Sequence, residues 1–177
     1  MKNRSRLLII TSLMVGFSLM LSGCGPSRQE VRVTPQAGFI PQGKVRVVDV
    51  SNATGKLYDV DCIGMMWTAL EGSLNQSGLL WTGGGESAPI EIKARIVKYD
   101  EGNLATRYLS PIGGGTELVV EYSVMKSGKE LYVIESKHSY SFSGGMTFGA
   151  WRKVFTVAAE DVVREIRAKM NLGASEQ

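Results

Sequence analysis

The stretch Pro89-Ile-Glu-Ile-Lys-Ala-Arg-Ile96 puts Ile90, Ile92, Ala94 and Ile96 at every second position, with Glu91, Lys93 and Arg95 between them. Side chains of a strand point alternately to its two faces, so the segment predicts a strand with one face in a core and the other in water. A sheet with one wet face is characteristically antiparallel. Downstream, Glu117 to Met125 and Leu131 to Phe142 predict two further strands, joined by Lys126-Ser-Gly-Lys129, where Gly128 permits a tight hairpin turn. The three together make an antiparallel meander. Upstream, Lys44-Val-Arg-Val-Val-Asp-Val50 is β-branched and ends in the turn-forming run Ser51-Asn-Ala-Thr-Gly55.

Two helices are expected around these strands. From about Asp59 to Ser77, the residues Ile63, Met66, Trp67, Leu70 and Leu74 recur at helical spacing, with Gly78 as the left-handed cap. From about Phe148 to Met170, a stripe of Trp151, Phe155, Ala158, Val162, Ile166 and Met170 defines a second helix. Arg152, Lys153, Glu160, Asp161, Arg164, Glu165 and Arg167 are expected on its other faces. The order β-α-β-β-β-α then implies an α+β fold, a two-layer sandwich whose mostly antiparallel sheet carries both helices on one face. On the last strand, Tyr132, Ile134, His138, Tyr140 and Phe142 share the parity expected to face the core, whereas Glu135, Lys137 and Ser139 share the other.

The amino terminus follows different rules. Lys2, Arg4 and Arg6 precede sixteen uncharged residues, Leu7 to Ser22. As a helix these reach about 24 Å, short of the roughly 30 Å hydrocarbon core, so a cleavable export signal fits better than a permanent span. The run ends in Leu21-Ser22-Gly23-Cys24, which resembles the lipobox of bacterial lipoproteins. The resemblance implies cleavage after Gly23, a diacylglyceryl group on the Cys24 sulfur and usually an acylated new amino terminus. A buried cysteine in a signal anchor is the plainer alternative. Gly25 stands where an aspartate would resemble an inner-membrane retention signal, so in a Gram-negative envelope the outer membrane, facing the periplasm, is expected.

Removing residues 1–23 also removes the charge. The chain carries a formal +3, but Lys2, Arg4 and Arg6 supply that excess, and beyond Gly23 seventeen basic residues face seventeen acidic ones. A nucleic-acid partner therefore has no electrostatic motive. Residues 24–43, with three of the five prolines and no sustained period, read as a lipidated flexible tether on which Val31, Val33 and Phe39-Ile40 dock locally at most. One domain over 44–172 and a short tail over 173–177 complete the chain. With Cys24 acylated, Cys62 has no intramolecular disulfide partner and is expected to be a buried, inert thiol.

Signals for chemistry are sparse. Glycine runs occur at Thr82-Gly-Gly-Gly-Glu86, Pro111-Ile-Gly-Gly-Gly-Thr116 and Ser143-Gly-Gly-Met-Thr-Phe-Gly149. None meets a phosphate-cradling pattern, so they are expected to be loops, together available as an adaptable contact surface. His138 is the single histidine. No cysteine or carboxylate stands at ligand spacing from it, so no metal, cofactor or catalytic residue is assigned.

From about Val45 onward several segments together resemble a family of bacterial envelope lipoproteins known as a domain of unknown function. These are Val47-Val-Asp-Val-Ser-Asn-Ala-Thr54, Leu74-Asn-Gln-Ser-Gly78, Ile92-Lys-Ala-Arg-Ile-Val-Lys-Tyr-Asp-Glu-Gly102, Arg107-Tyr108 with the glycine run after it, and Ser127-Gly-Lys-Glu-Leu131. Similar modules occur in the curli secretion lipoprotein and in the amino-terminal domain of TolB. Tyr108-Leu-Ser-Pro-Ile112 departs from the glycine-richer connection of the pattern. The resemblance implies a non-catalytic scaffold or assembly factor that binds another cell-envelope protein, and it carries over no site residues. Two other readings stand beside it: a lipid or other apolar ligand held between sheet and helices near Trp67, Trp151 and Phe155, and an enzyme built on a convergent titratable cluster.

Overall fold

A computed structural model describes residues 28–35, 40–84, 89–101, 116–140 and 150–175. The expected Cys24 lipidation site and two of the glycine runs, residues 111–115 and 143–149, lie outside these described residues, as does the whole Tyr108 to Ile112 connection. Five strands, β1 (Arg28–Pro35), β2 (Val45–Asn52), β3 (Ile90–Asp100), β4 (Thr116–Lys126) and β5 (Lys129–Tyr140), form one sheet in the order β1-β5-β4-β3-β2. Two helices, α1 (Cys62–Gln76) and α2 (Ala150–Ser175), complete the described elements. The fold is the expected α+β sandwich, with β3, β4 and β5 as the antiparallel meander. β2 runs parallel to β3, because α1 returns the chain to the starting end of the sheet before β3 begins. Neither described helix is long and apolar enough to cross a membrane.

The alternation of residues 89–96 is realised as read: Ile90, Ile92, Ala94 and Ile96 are buried, while Glu91, Lys93 and Arg95 face outward. An irregularity between Ile96 and Lys98 then inserts Val97 and reverses the parity, which brings Tyr99 into the core. The hairpin between β4 and β5 turns on Ser127 and Gly128, both at positive φ, the geometry that matches strand twist. Gly78, with φ of 71°, follows α1 as its left-handed cap, and Leu79 N–H donates back to the Leu74 carbonyl at 2.8 Å.

Three expectations need correction. The stretch read as a tether contains β1, whose eight residues pair in unbroken register with β5, and Ile40 beyond it is fully buried. β1 gives partners to the backbone groups of β5, and Pro35 is the last residue of this edge strand, a position where sheets accept proline. Ile63 of α1 is exposed, since Cys62 and Met66 occupy the inward positions around it. α2 continues to Ser175, through Gly173, although glycine was expected to follow the helix end.

The core lies between the helices and one face of the sheet, where Tyr122, Phe155, Met66, Leu70, Ile92 and Ile134 are among its largest sealed side chains. The opposite face stays open to water and carries cross-strand ion pairs: Arg46 with Glu91 at 2.6 Å, Arg95 with Glu121 at 2.8 Å, and Lys98 and Lys137 on Glu117 at 2.7 and 3.3 Å. The two lysines, Lys98 foremost, hold the Glu117 carboxyl below its ordinary range.

Candidate functional site

α2 presents two flanks with different contents. Its sheet flank buries Asp161, which the periodicity had assigned to a wet face. The reason is across the interface: Asp161 Oδ2 lies 3.6 Å from Nε2 of His138 on β5, and Oδ1 takes an ion pair at 2.9 Å from Arg164, one helical turn on. The side chains of His138 and Asp161 are 1% and 3% exposed, whereas that of Arg164 is 70% exposed and carries the charge compensation to the surface. Burial pushes the His138 imidazole below its ordinary value, and the Asp161 carboxylate opposes that only in part. Neither ring nitrogen has a hydrogen-bond partner among the described residues.

Around this pair lie Ser136, two residues along β5 on the same face, and Tyr122 of β4. The Tyr122 hydroxyl reaches Met66 Sδ of α1 at 3.9 Å, and burial pushes its proton affinity up. Ser136, His138 and Asp161 thus supply the residue types of a nucleophile, a base and an acid, but within a sealed layer. Among the described residues no group of three or more His, Cys, Asp or Glu is placed to hold a metal ion.

The other flank of α2 faces α1 across an open cleft of about 540 Å³. That volume lies within the few hundred to one thousand Å³ usual for ligand sites. From α1 and its cap the walls are Asp61, Gly64, Met65, Thr68, Ala69, Gly72, Ser73 and Gln76, and from α2 they are Arg152, Phe155, Thr156 and Glu160. Gly64 and Gly72 have different causes. A Cβ on Gly64 would run into the Asp61 carboxylate, which caps α1 by accepting from Gly64 N–H at 2.8 Å. A Cβ on Gly72 would meet nothing within 4 Å. Glycine inside a helix costs roughly 0.5–1 kcal/mol relative to alanine, and no neighbour requires it at position 72. Gly72 borders the open space of the cleft.

The apolar space expected between sheet and helices near Trp67 and Phe155 is occupied by core side chains, and the cleft that opens lies on the outer side, with Phe155 in its wall. Trp67 is half-buried on α1, and the side chain of Trp151 lies outside the described residues. Cys62 is the first residue of α1, buried as expected, with its thiol pushed up by that burial. Asp161 and Gly72 were missed by the periodicity. The signal for Asp161 was its place three residues after Ala158 and directly before Val162, on the margin of the apolar stripe.

No protein-family model and no curated protein matches the chain. Solved structures do. Two crystal forms of the PelC dodecamer from Paraburkholderia phytofirmans, one of a single-residue variant, align with TM-scores of 0.56 at 16% and 15% identity, covering 78% of this chain and 97% of theirs. A Caulobacter crescentus CB15 protein described as a lipoprotein aligns at 13% identity and a TM-score of 0.42, over 75% of this chain and 92% of its own. At these identities the PelC likeness shows a shared fold.

Proposed function

We propose that this protein is a lipoprotein anchored through Cys24 in the bacterial cell envelope, on the periplasmic side of the outer membrane, acting as a non-catalytic scaffold or accessory factor that binds another envelope protein. The family resemblance from Val45 onward and the lipobox-like Leu21 to Cys24 run support the anchor and the compartment. The observation that carries the binding role is the open cleft between α1 and α2, with a mid-helix glycine in its wall that nothing in the packing demands. The titratable groups closest to a catalytic set are sealed under α2, out of reach of a solute, which supports docking over turnover.

The test is site-specific photocrosslinking in native envelopes. A crosslinker replacing the exposed cleft residue Thr68 is expected to capture an envelope protein in one defined adduct, while one replacing Lys93 on the open sheet face gives none. Equal labelling from both positions, or none from Thr68, contradicts the reading. A second copy of this chain is the competing occupant, favoured by the dodecameric state of the PelC structures, and the mass of the adduct separates the two.

A further inference from the structure

β1 changes what the anchor does. Three residues separate Cys24 from Arg28, so four Cα to Cα steps reach at most about 14 Å. Arg28 pairs with Ser139, Ser139 with Glu117 and Glu117 with Asp100, one row across β1, β5, β4 and β3 at a single end of the sheet. The loop between β2 and α1 climbs to that same end, where the Tyr58 hydroxyl donates to the Tyr99 carbonyl at 3.0 Å and the two rings meet edge to face. Next to Tyr58 stands Leu57, 101% exposed, and Ile63, 40% exposed, follows at the start of α1. Among the described residues these are the exposed large hydrophobics, and both lie at the end to which the chain is tied.

The exposure of Leu57 is built, since its loop is held on both sides. Asn52 accepts from the Thr54 backbone and hydroxyl at 3.0 and 2.7 Å, and donates to the Lys56 carbonyl at 2.8 Å. Lys56 in the same loop is offset by Asp59 and Asp61, so charge gives little attraction to an anionic surface. What the loop offers a partner is an apolar tip. We propose that this end of the domain rests on the phospholipid leaflet that holds the Cys24 acyl chains, with Leu57 entering the boundary between headgroups and chains and Ile63 beside it. The inference rests on the acylation of Cys24 proposed above. It makes the domain a body seated on the membrane, its α1–α2 cleft held close to the bilayer, instead of one standing off on a tether.

The acylated protein, purified from membranes and reconstituted in phosphatidylcholine vesicles, tests it. An environment-sensitive fluorophore is attached at Leu57→Cys or at Lys129→Cys, the latter in the β4–β5 hairpin at the far end, about 35 Å away along β4. Cys62 is buried, so the parent protein serves as the unlabelled blank. The expected result is a blue shift and loss of emission to a quencher-bearing lipid at Leu57→Cys, and neither at Lys129→Cys. Acylated protein that shows no quenching at position 57, or the same at both positions, overturns this inference alone. Absence of acyl mass on Cys24 in the same sample overturns the anchor and the inference together.

Discussion

Under α2, on its sheet side, Asp161, His138, Ser136 and Tyr122 gather acid, base and hydroxyl groups where solute does not reach. On its α1 side the cleft admits solute, and its wall mixes glycine, alanine, methionine and phenylalanine with Thr68, Ser73, Gln76 and the charged Asp61, Arg152 and Glu160. Catalysis needs a poised donor or acceptor beside the reacting atoms, and docking needs accessible shape. The sealed side settles how α2 sits on the sheet, the open side offers a surface, and substitutions on each side therefore change different observables.

Phe155 belongs to both sides: it packs against Tyr99 in the core, rings 5.2 Å apart, and forms part of the cleft wall. Phe155→Ala is expected to have the largest effect, a loss of about 3–5 kcal/mol in a denaturant titration, together with a weaker Thr68 crosslink. His138→Ala touches only the sealed side and is expected to cost on the order of 1–3 kcal/mol while the Thr68 crosslink persists in the folded fraction.

The pH dependence sharpens the same contrast. The folded imidazole of His138 protonates below its ordinary value of 6.5. As pH falls through that value the unfolded chain binds a proton that the folded chain does not, so stability falls with pH until the folded imidazole titrates as well. The slope contributed is at most about 1.4 kcal/mol per pH unit, and thermal melts of His138→Leu are expected to lack it. Glu117 on the open sheet face, held low by Lys98 and Lys137, acts only at more acid pH, where its contribution is lost on protonation.

The two cleft glycines are expected to respond with opposite signs. Gly64→Ala forces the Asp61 cap aside and should lower stability by about 0.5–2 kcal/mol. Gly72→Ala meets open space and should raise it by about 0.5–1 kcal/mol, the smallest of these changes in a thermal melt.

Where local pattern and final environment agree, the sequence was readable. The alternation of residues 90–96, the Ser127-Gly128 turn and the α1 cap at Gly78 each follow from chemistry within a few residues. The misreadings depend on contacts far away in sequence. β1 is a strand because β5, about a hundred residues later, needs an edge partner, and its flanking prolines disguised it. Asp161 is buried because His138 waits across the layer and Arg164 reaches out to water, which helical periodicity does not register. The cleft was illegible for a related reason: Gly72 looks like an ordinary weak helix residue until the space beside it is seen.

The most direct test of docking over catalysis compares Gly72→Leu with His138→Leu in the Thr68 crosslinking assay, each judged against its own thermal melt. Leucine at position 72 improves helix propensity by roughly 0.8 kcal/mol and projects an isobutyl group into the cleft beside Thr68. The account predicts that Gly72→Leu melts no lower than the parent and loses the adduct, while folded His138→Leu keeps it. An adduct at full yield in Gly72→Leu, or one lost from folded His138→Leu, would contradict it.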